Sequence, residues 1–126
     1  MVFADDRIDD LKGPGLRAFF KIAGFWNLEE AEQMSILGLK SPSILRDLQA
    51  GDVEQCSANV LERISYVLGI YKAIHSVFTQ QDQADGWMRR PNKAPIFGGK
   101  SAVDRMVMGG IDDLRLVRNY LDAMCN

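Results

Sequence analysis

The chain is predicted to be all-α, and three observations predict it. Apolar residues recur at spacings of three and four through successive segments. Ser or Asn stands where several of these segments begin, and Gly where they end. No stretch alternates with a period of two for long enough to make a strand. The expected architecture is an N-terminal helix-turn-helix, a long spine helix and a small C-terminal helical domain, divided as residues 1–13, 14–78 and 79–126.

Residues 1–13 carry Asp5, Asp6, Asp9 and Asp10 and little to bury, so a flexible acidic arm is expected there, ended by Gly13-Pro14-Gly15. Leu16, Phe19, Phe20 and Ala23 mark one face of a first helix, stopped at Gly24 before Phe25 and Trp26, two aromatics expected in the core. Asn27 is the expected cap of the second helix, with Glu30 as its reciprocal partner and Leu28, Ala31, Met34 and Leu37 inward. Gly38 closes that helix. Ser41-Pro42 opens the third, with a capping hydroxyl followed by a proline that needs no intrahelical partner, and Ile44, Leu45 and Leu48 form its inner face. Two short helices joined by Gly38-Leu39-Lys40 have the shape of a helix-turn-helix.

Ser57 can cap a fourth helix reaching about Thr79, on which Val60, Leu61, Ile64, Leu68, Tyr71, Ile74 and Phe78 hold the periodicity. This is the expected spine. Residues 80–83 read as a polar hinge and residues 84–88 as one further helical turn. Ser101 and Asp104 form a capping pair for a helix through Met108. After Gly109-Gly110, a last helix starting at Asp112 carries Leu114, Val117, Leu121 and Met124 on one face.

Composition narrows the function classes. With 126 residues, 47% hydrophobic and 25% charged, the chain can bury a real core. No apolar run approaches the length of a membrane span, and the acidic start lacks the features of a signal peptide. Cys56 and Cys125, far apart, fit free thiols in a reducing cytoplasm. The one histidine, His75, sits inside the spine, with no zinc spacing and no nucleophile–base pair around it. Gly99-Lys100-Ser101 resembles the end of a phosphate loop, but Ala94 stands where the motif needs its first glycine and no strand precedes it. Open backbone amides beside Lys100 can still receive a partner's carboxylate or phosphate. No cofactor is called for, and an enzyme is the weaker hypothesis.

Binding is the stronger one. Residues 1–57 carry six Lys/Arg against ten Asp/Glu, and residues 58–126 nine against seven. The basic excess surrounds Gly86–Asp104, which also holds Trp87, Pro91, Pro95 and Gly98-Gly99. Trp87 and Phe97 are expected to anchor this stretch in the core, while Arg89, Arg90, Lys93 and Arg105 present charge around a proline-braced loop. The segment from Tyr120 to Asn126 is short enough to reach into a concave site. If the helix-turn-helix reads DNA, Lys40, Ser41, Ser43, Arg46 and Gln49 are the contact residues. The acidity of that half opposes phosphate binding, so operator binding stays open.

Trp87, Arg89-Arg90-Pro91-Asn92, Phe97-Gly98-Gly99, Asp104-Arg105-Met106, Gly109, Asp113-Leu114 and Val117 to Asp122, in that order, closely resemble the toxin-binding domain of the Xre/MbcA/ParS antitoxins. Residues 16–78 are similar to the degenerate Xre-type helix-turn-helix that precedes it. The resemblance implies the antitoxin of a bacterial type II toxin–antitoxin system. The implied partner is a RES-domain toxin that consumes NAD+ or transfers ADP-ribose from it. Family antitoxins dimerise, cover the toxin's NAD+ entrance with the C-terminal domain, and often repress their own operon. The matching positions add Asn92 and Arg118 to Arg89, Arg90, Lys93, Lys100, Arg105, Tyr120 and Asn126 as expected toxin contacts. Met34, where a small Ala is typical, and Asp47-Leu48, where a more basic or aromatic pair is common, depart from the DNA-reading pattern. The alternative is a DNA-binding regulator whose C-terminal half serves oligomerisation, and an NAD- or nucleotide-processing enzyme comes third.

Overall fold

The computed structural model describes residues 2–125, and the side chains of residues 8–125. Among them are seven α-helices and no strand: α1 Val2–Phe25, α2 Glu30–Leu37, α3 Pro42–Gln49, α4 Ala58–Val77, α5 Gln81–Trp87, α6 Ala102–Met108 and α7 Ile111–Cys125. A short 3-10 turn, Val53–Gln55, leads into α4.

The expected spine is present but ends at Val77, with Phe78 beyond it and Leu61, Leu68 and Tyr71 only half-buried. Ser57 Oγ accepts the amide of Val60, which caps α4. Val60, Ile64, Val67, Ile70, Ala73 and Ile74 are buried along it. α4 packs against α1 on one side and α7 on the other, so one helix supplies the core of both halves. Gly15, buried in α1, faces Leu61 and Ile64 of α4, and a Cβ there would meet both at ordinary contact distance. On the other side, the Arg118 guanidinium lies over Gly69, where a larger residue would displace it.

Four expectations for the N-terminal half need correction. Gly13-Pro14-Gly15 does not end a separate segment, since residues 2–13 are helical and continuous with the rest of α1. Pro14 lies inside the helix, removing one backbone donor without ending it. α1 packs against α4, and Lys12 pairs with Asp9 one turn back at 3.0 Å. Asn27 is not the cap of α2. It takes a left-handed conformation at φ 55 and closes α1, with the Leu28 amide donating to the Ala23 carbonyl at 2.8 Å. Glu29 caps α2 instead, in a reciprocal capping box with Glu32. Of the two aromatics expected inside, Trp26 is fully buried but Phe25 is 40% exposed and stacks on Tyr71.

In the C-terminal half, residues 81–83, read as hinge, are the first turn of α5. Ser101 and Asp104 form the expected capping box at α6. α7 begins at Ile111, one residue before the expected start, and Met124 is exposed, not inward. Trp87, Phe97 and Tyr120 form an aromatic cluster, with Trp87 and Tyr120 stacked and Phe97 edge-on to both.

Candidate functional site

The loop between α5 and α6, residues 88–101, holds the basic residues singled out in the sequence, and hydrogen bonds within the loop give it its shape. The Asn92 amide donates to the Lys100 carbonyl at 3.0 Å, and the Gly99 amide returns to the Asn92 carbonyl at 2.9 Å. Inside this ring, the amides of Phe97 and Gly98 both donate to the Ala94 carbonyl, and the Asn92 side chain accepts from the Ala94 amide at 2.8 Å. Gly98 and Gly99 take φ values of 57 and 88, which suit glycine. Phe97 plugs the loop into the core, as expected, and the Val103 amide ties α6 to the Met88 carbonyl.

This closure overturns one expectation. The amides of Gly98, Gly99, Lys100 and Ser101 all have partners, Ser101 through the Asp104 carboxylate at 3.1 Å. They form no open cradle for a carboxylate or phosphate.

The expected contact residues divide by environment. Arg89 is not outward charge. Its Nε donates to the Trp26 carbonyl at 3.0 Å and Nη2 to the Asn27 carbonyl at 2.6 Å, while Nη1 and Nη2 grip the Glu32 carboxylate at 2.8 and 2.7 Å. The C-terminal loop is thereby bolted to the α1–α2 corner. The Arg89 hydrogen bonds hold the Glu32 carboxyl below its ordinary range, and Glu32 in turn raises Arg89. Asn92 is half-buried and structural. Arg105 pairs with Asp113 at 2.8 Å. Gly109 has no Cβ because that space belongs to the Asp113 carboxylate. Arg118 lies over Gly69 and stands 3.6 Å from Asp122. Tyr120 is half-buried in the aromatic cluster and Leu121 beyond it is fully buried, while residues 122–125, the last turn of α7, are exposed. Arg90, Lys93 and Lys100 are exposed, and among the described residues none of them has a carboxylate partner. Asn126 lies outside the described residues.

On the helix-turn-helix, α2 and α3 meet through Gly38, which takes φ 70 and carries the Arg63 guanidinium above it. Ser41 caps α3 and shares a 2.7 Å hydrogen bond with Ser43, so both hydroxyls are already engaged. Lys40, Arg46 and Gln49 are exposed, and so are Asp47, Glu29, Glu30, Asp52 and Glu54. The exposed charged side chains of residues 27–55 are more often acids than bases.

His75 is half-buried, with Nε2 3.1 Å from Asp85 Oδ1 and its ring centroid 4.1 Å from that of Tyr71. It joins α4 to α5. Burial pushes the Tyr71 hydroxyl and the Cys56 thiol up from their ordinary values, and both cysteines are free. The described residues contain no group of three metal-ligating side chains. None of their helices is long and apolar enough to cross a membrane.

Sequence reasoning missed the Arg89–Glu32 bolt and the part played by Trp26 and Asn27 as its acceptors. Fifty-seven residues separate the two ionic partners, and no local pattern announces such a pair.

Comparison with known proteins resolves the chain along the same division. Residues 9–69 match the antitoxin Xre-like helix-turn-helix domain, and residues 75–125 match the antitoxin Xre/MbcA/ParS C-terminal toxin-binding domain. The y4oB protein of Sinorhizobium fredii, which is itself uncharacterised, is 41% identical over 109 residues, covering 86% of this chain and 81% of the relative. No solved structure matches. With both domains present in order over nearly its whole length, the chain belongs to the Xre/MbcA/ParS antitoxin family.

Proposed function

We propose that the chain neutralises a RES-domain toxin, one that consumes NAD+ or transfers ADP-ribose from it, by binding over the toxin's NAD+ site. As an antitoxin it acts by binding and not by catalysis. The observation that carries this reading is the closed loop 88–101, which presents Arg90, Lys93 and Lys100 without internal carboxylate partners on a firm aromatic base. A preformed cationic surface loses little entropy on docking and suits an interface with few anchors. Co-expression with the toxin encoded by the neighbouring reading frame tests it. Growth is restored by the chain and lost again with Lys93→Glu and Lys100→Glu together; no rescue by the unaltered chain sinks the proposal.

The chain is further proposed to act as a cytoplasmic homodimer. A groove of about 600 Å³ runs between α1 and α4, lined by Ile8, Leu11, Pro14, Leu61, Ile64 and Leu68, with Glu62 as its one charged side chain among the described residues. Ile8 and Leu11 on one helix and the α4 wall on the other form a single apolar patch, which a two-fold copy can cover with the same patch of its own.

Autorepression is the second reading, favoured by the α2–Gly38–α3 turn and the matching helix-turn-helix domain. Lys40 and Arg46 are the cations on that face. Two phosphate contacts per protomer give a log–log salt slope of about −2 per protomer. A gel shift on the upstream promoter across salt checks this. No shift, with or without toxin, removes the reading.

A further inference from the structure

Beside the loop lies a small cleft of about 230 Å³, walled by Pro95, Ile96 and Phe97 on one side and by Arg105 and Met108 of α6 on the other, with Lys100 among its lining. Three features mark it as more than a packing gap. Its loop wall is held rigid by the hydrogen bonds that close residues 92–100. Met108 stands 65% exposed, the most exposed of the large apolar side chains among the described residues. No carboxylate lines the cleft, and the one that reaches Arg105, Asp113, approaches from α7 at 2.8 Å. Lys100 has no carboxylate partner among the described residues, and Lys93 of the same loop is likewise unpaired. A cleft of mixed apolar and cationic lining, with an unneutralised ammonium among it, is complementary to an apolar side chain that carries an acid next to it.

We infer that this cleft is the anchor point for the toxin. It receives one apolar side chain of the toxin between Ile96 and Met108, while a neighbouring toxin carboxylate pairs with Lys100. The inference rests on the antitoxin reading and adds to it the place and chemistry of the central contact. Burying Met108 on docking removes exposed apolar surface, and the pairing sets the register of the acidic segment. The much larger α1–α4 groove has different chemistry, since its one charged lining residue among the described residues is an acid.

The test is titration calorimetry of the full chain against the purified neighbouring-gene toxin, with Lys100→Glu, Met108→Asp and, as a charge-reversed control, the exposed Lys21→Glu of α1. Both cleft positions are exposed, so the variants are expected to fold, and circular dichroism verifies it. Each cleft variant is expected to weaken binding by about ten-fold or more, with the control within about two-fold. Charge reversal of an acid on the toxin is expected to restore affinity to Lys100→Glu. If the unaltered chain binds and the cleft variants bind equally well, the inference is overturned while the antitoxin reading stands. If the unaltered chain does not bind, the antitoxin reading itself has failed. If Met108→Asp alters the oligomeric state by light scattering and leaves toxin affinity unchanged, the cleft is a contact between copies, which also overturns the inference.

Discussion

Arg89 shows how one side chain can join two sequence families of contacts. Its planar fork reaches the Glu32 carboxylate with two nitrogens and two main-chain carbonyls besides, a set that lysine cannot reproduce. Replacing it with Ala leaves the carbonyls of Trp26 and Asn27 to water and Glu32 with only the Glu29 amide. Because the pair is partly solvated, the expected loss is about 2 kcal/mol in denaturant unfolding. The sign with pH follows from Glu32, whose folded carboxyl is held below its ordinary 4.5. Its contribution is complete above that value and disappears as pH falls through the lower folded one. The stability gap between wild type and Arg89→Ala is therefore widest near neutrality and shrinks below about pH 4.5. Arg89→Lys is expected to recover less than half of it, and a full recovery would reduce the bolt to simple charge attraction.

At the scale of elements, the caps that sequence revealed were local ones. Ser41, Ser57 and Ser101 each sit beside the amides they satisfy, so spacing alone finds them. Asn27 misled for a physical reason, because the same residue type that caps a helix start also tolerates the left-handed turn at a helix end. Gly13-Pro14-Gly15 misled because it was read as a chain break, whereas the packing of α1 on α4 outweighs one missing hydrogen bond. That helix supplies half of the apolar groove proposed as the dimer seam. Leu11, 59% exposed, makes the cleanest probe of it, since a change there disturbs no buried contact within the protomer. Leu11→Asp is expected to give a folded monomer by sedimentation, with rescue activity reduced only as far as dimerisation contributes to it. A dimer that persists unchanged places the seam elsewhere.

For the molecule as a whole, α4 is the shared wall of both halves, and Arg89 fastens them at a second point. The two domains are thus coupled through packing and through an ionic bolt, although the chain matches them as separate families. The class, the spine and the basic loop were legible in the sequence because they rest on periodicity and local composition. The assignment of individual basic residues was not. Arg89, Arg90, Lys93, Lys100, Arg105 and Arg118 are equivalent as letters, and only the tertiary positions of Glu32, Asp113 and Gly69 separate those engaged inside from those facing out. The outward set, Arg90, Lys93 and Lys100, is what the proposed toxin meets.

The decisive measurement is NAD+ consumption, or ADP-ribose transfer, by the purified neighbouring-gene toxin titrated with this chain. Activity is expected to fall to background at a fixed stoichiometry, with the toxin's affinity for an NAD+ analogue lost in the complex. A toxin that binds the chain and still engages NAD+ at full activity contradicts the account.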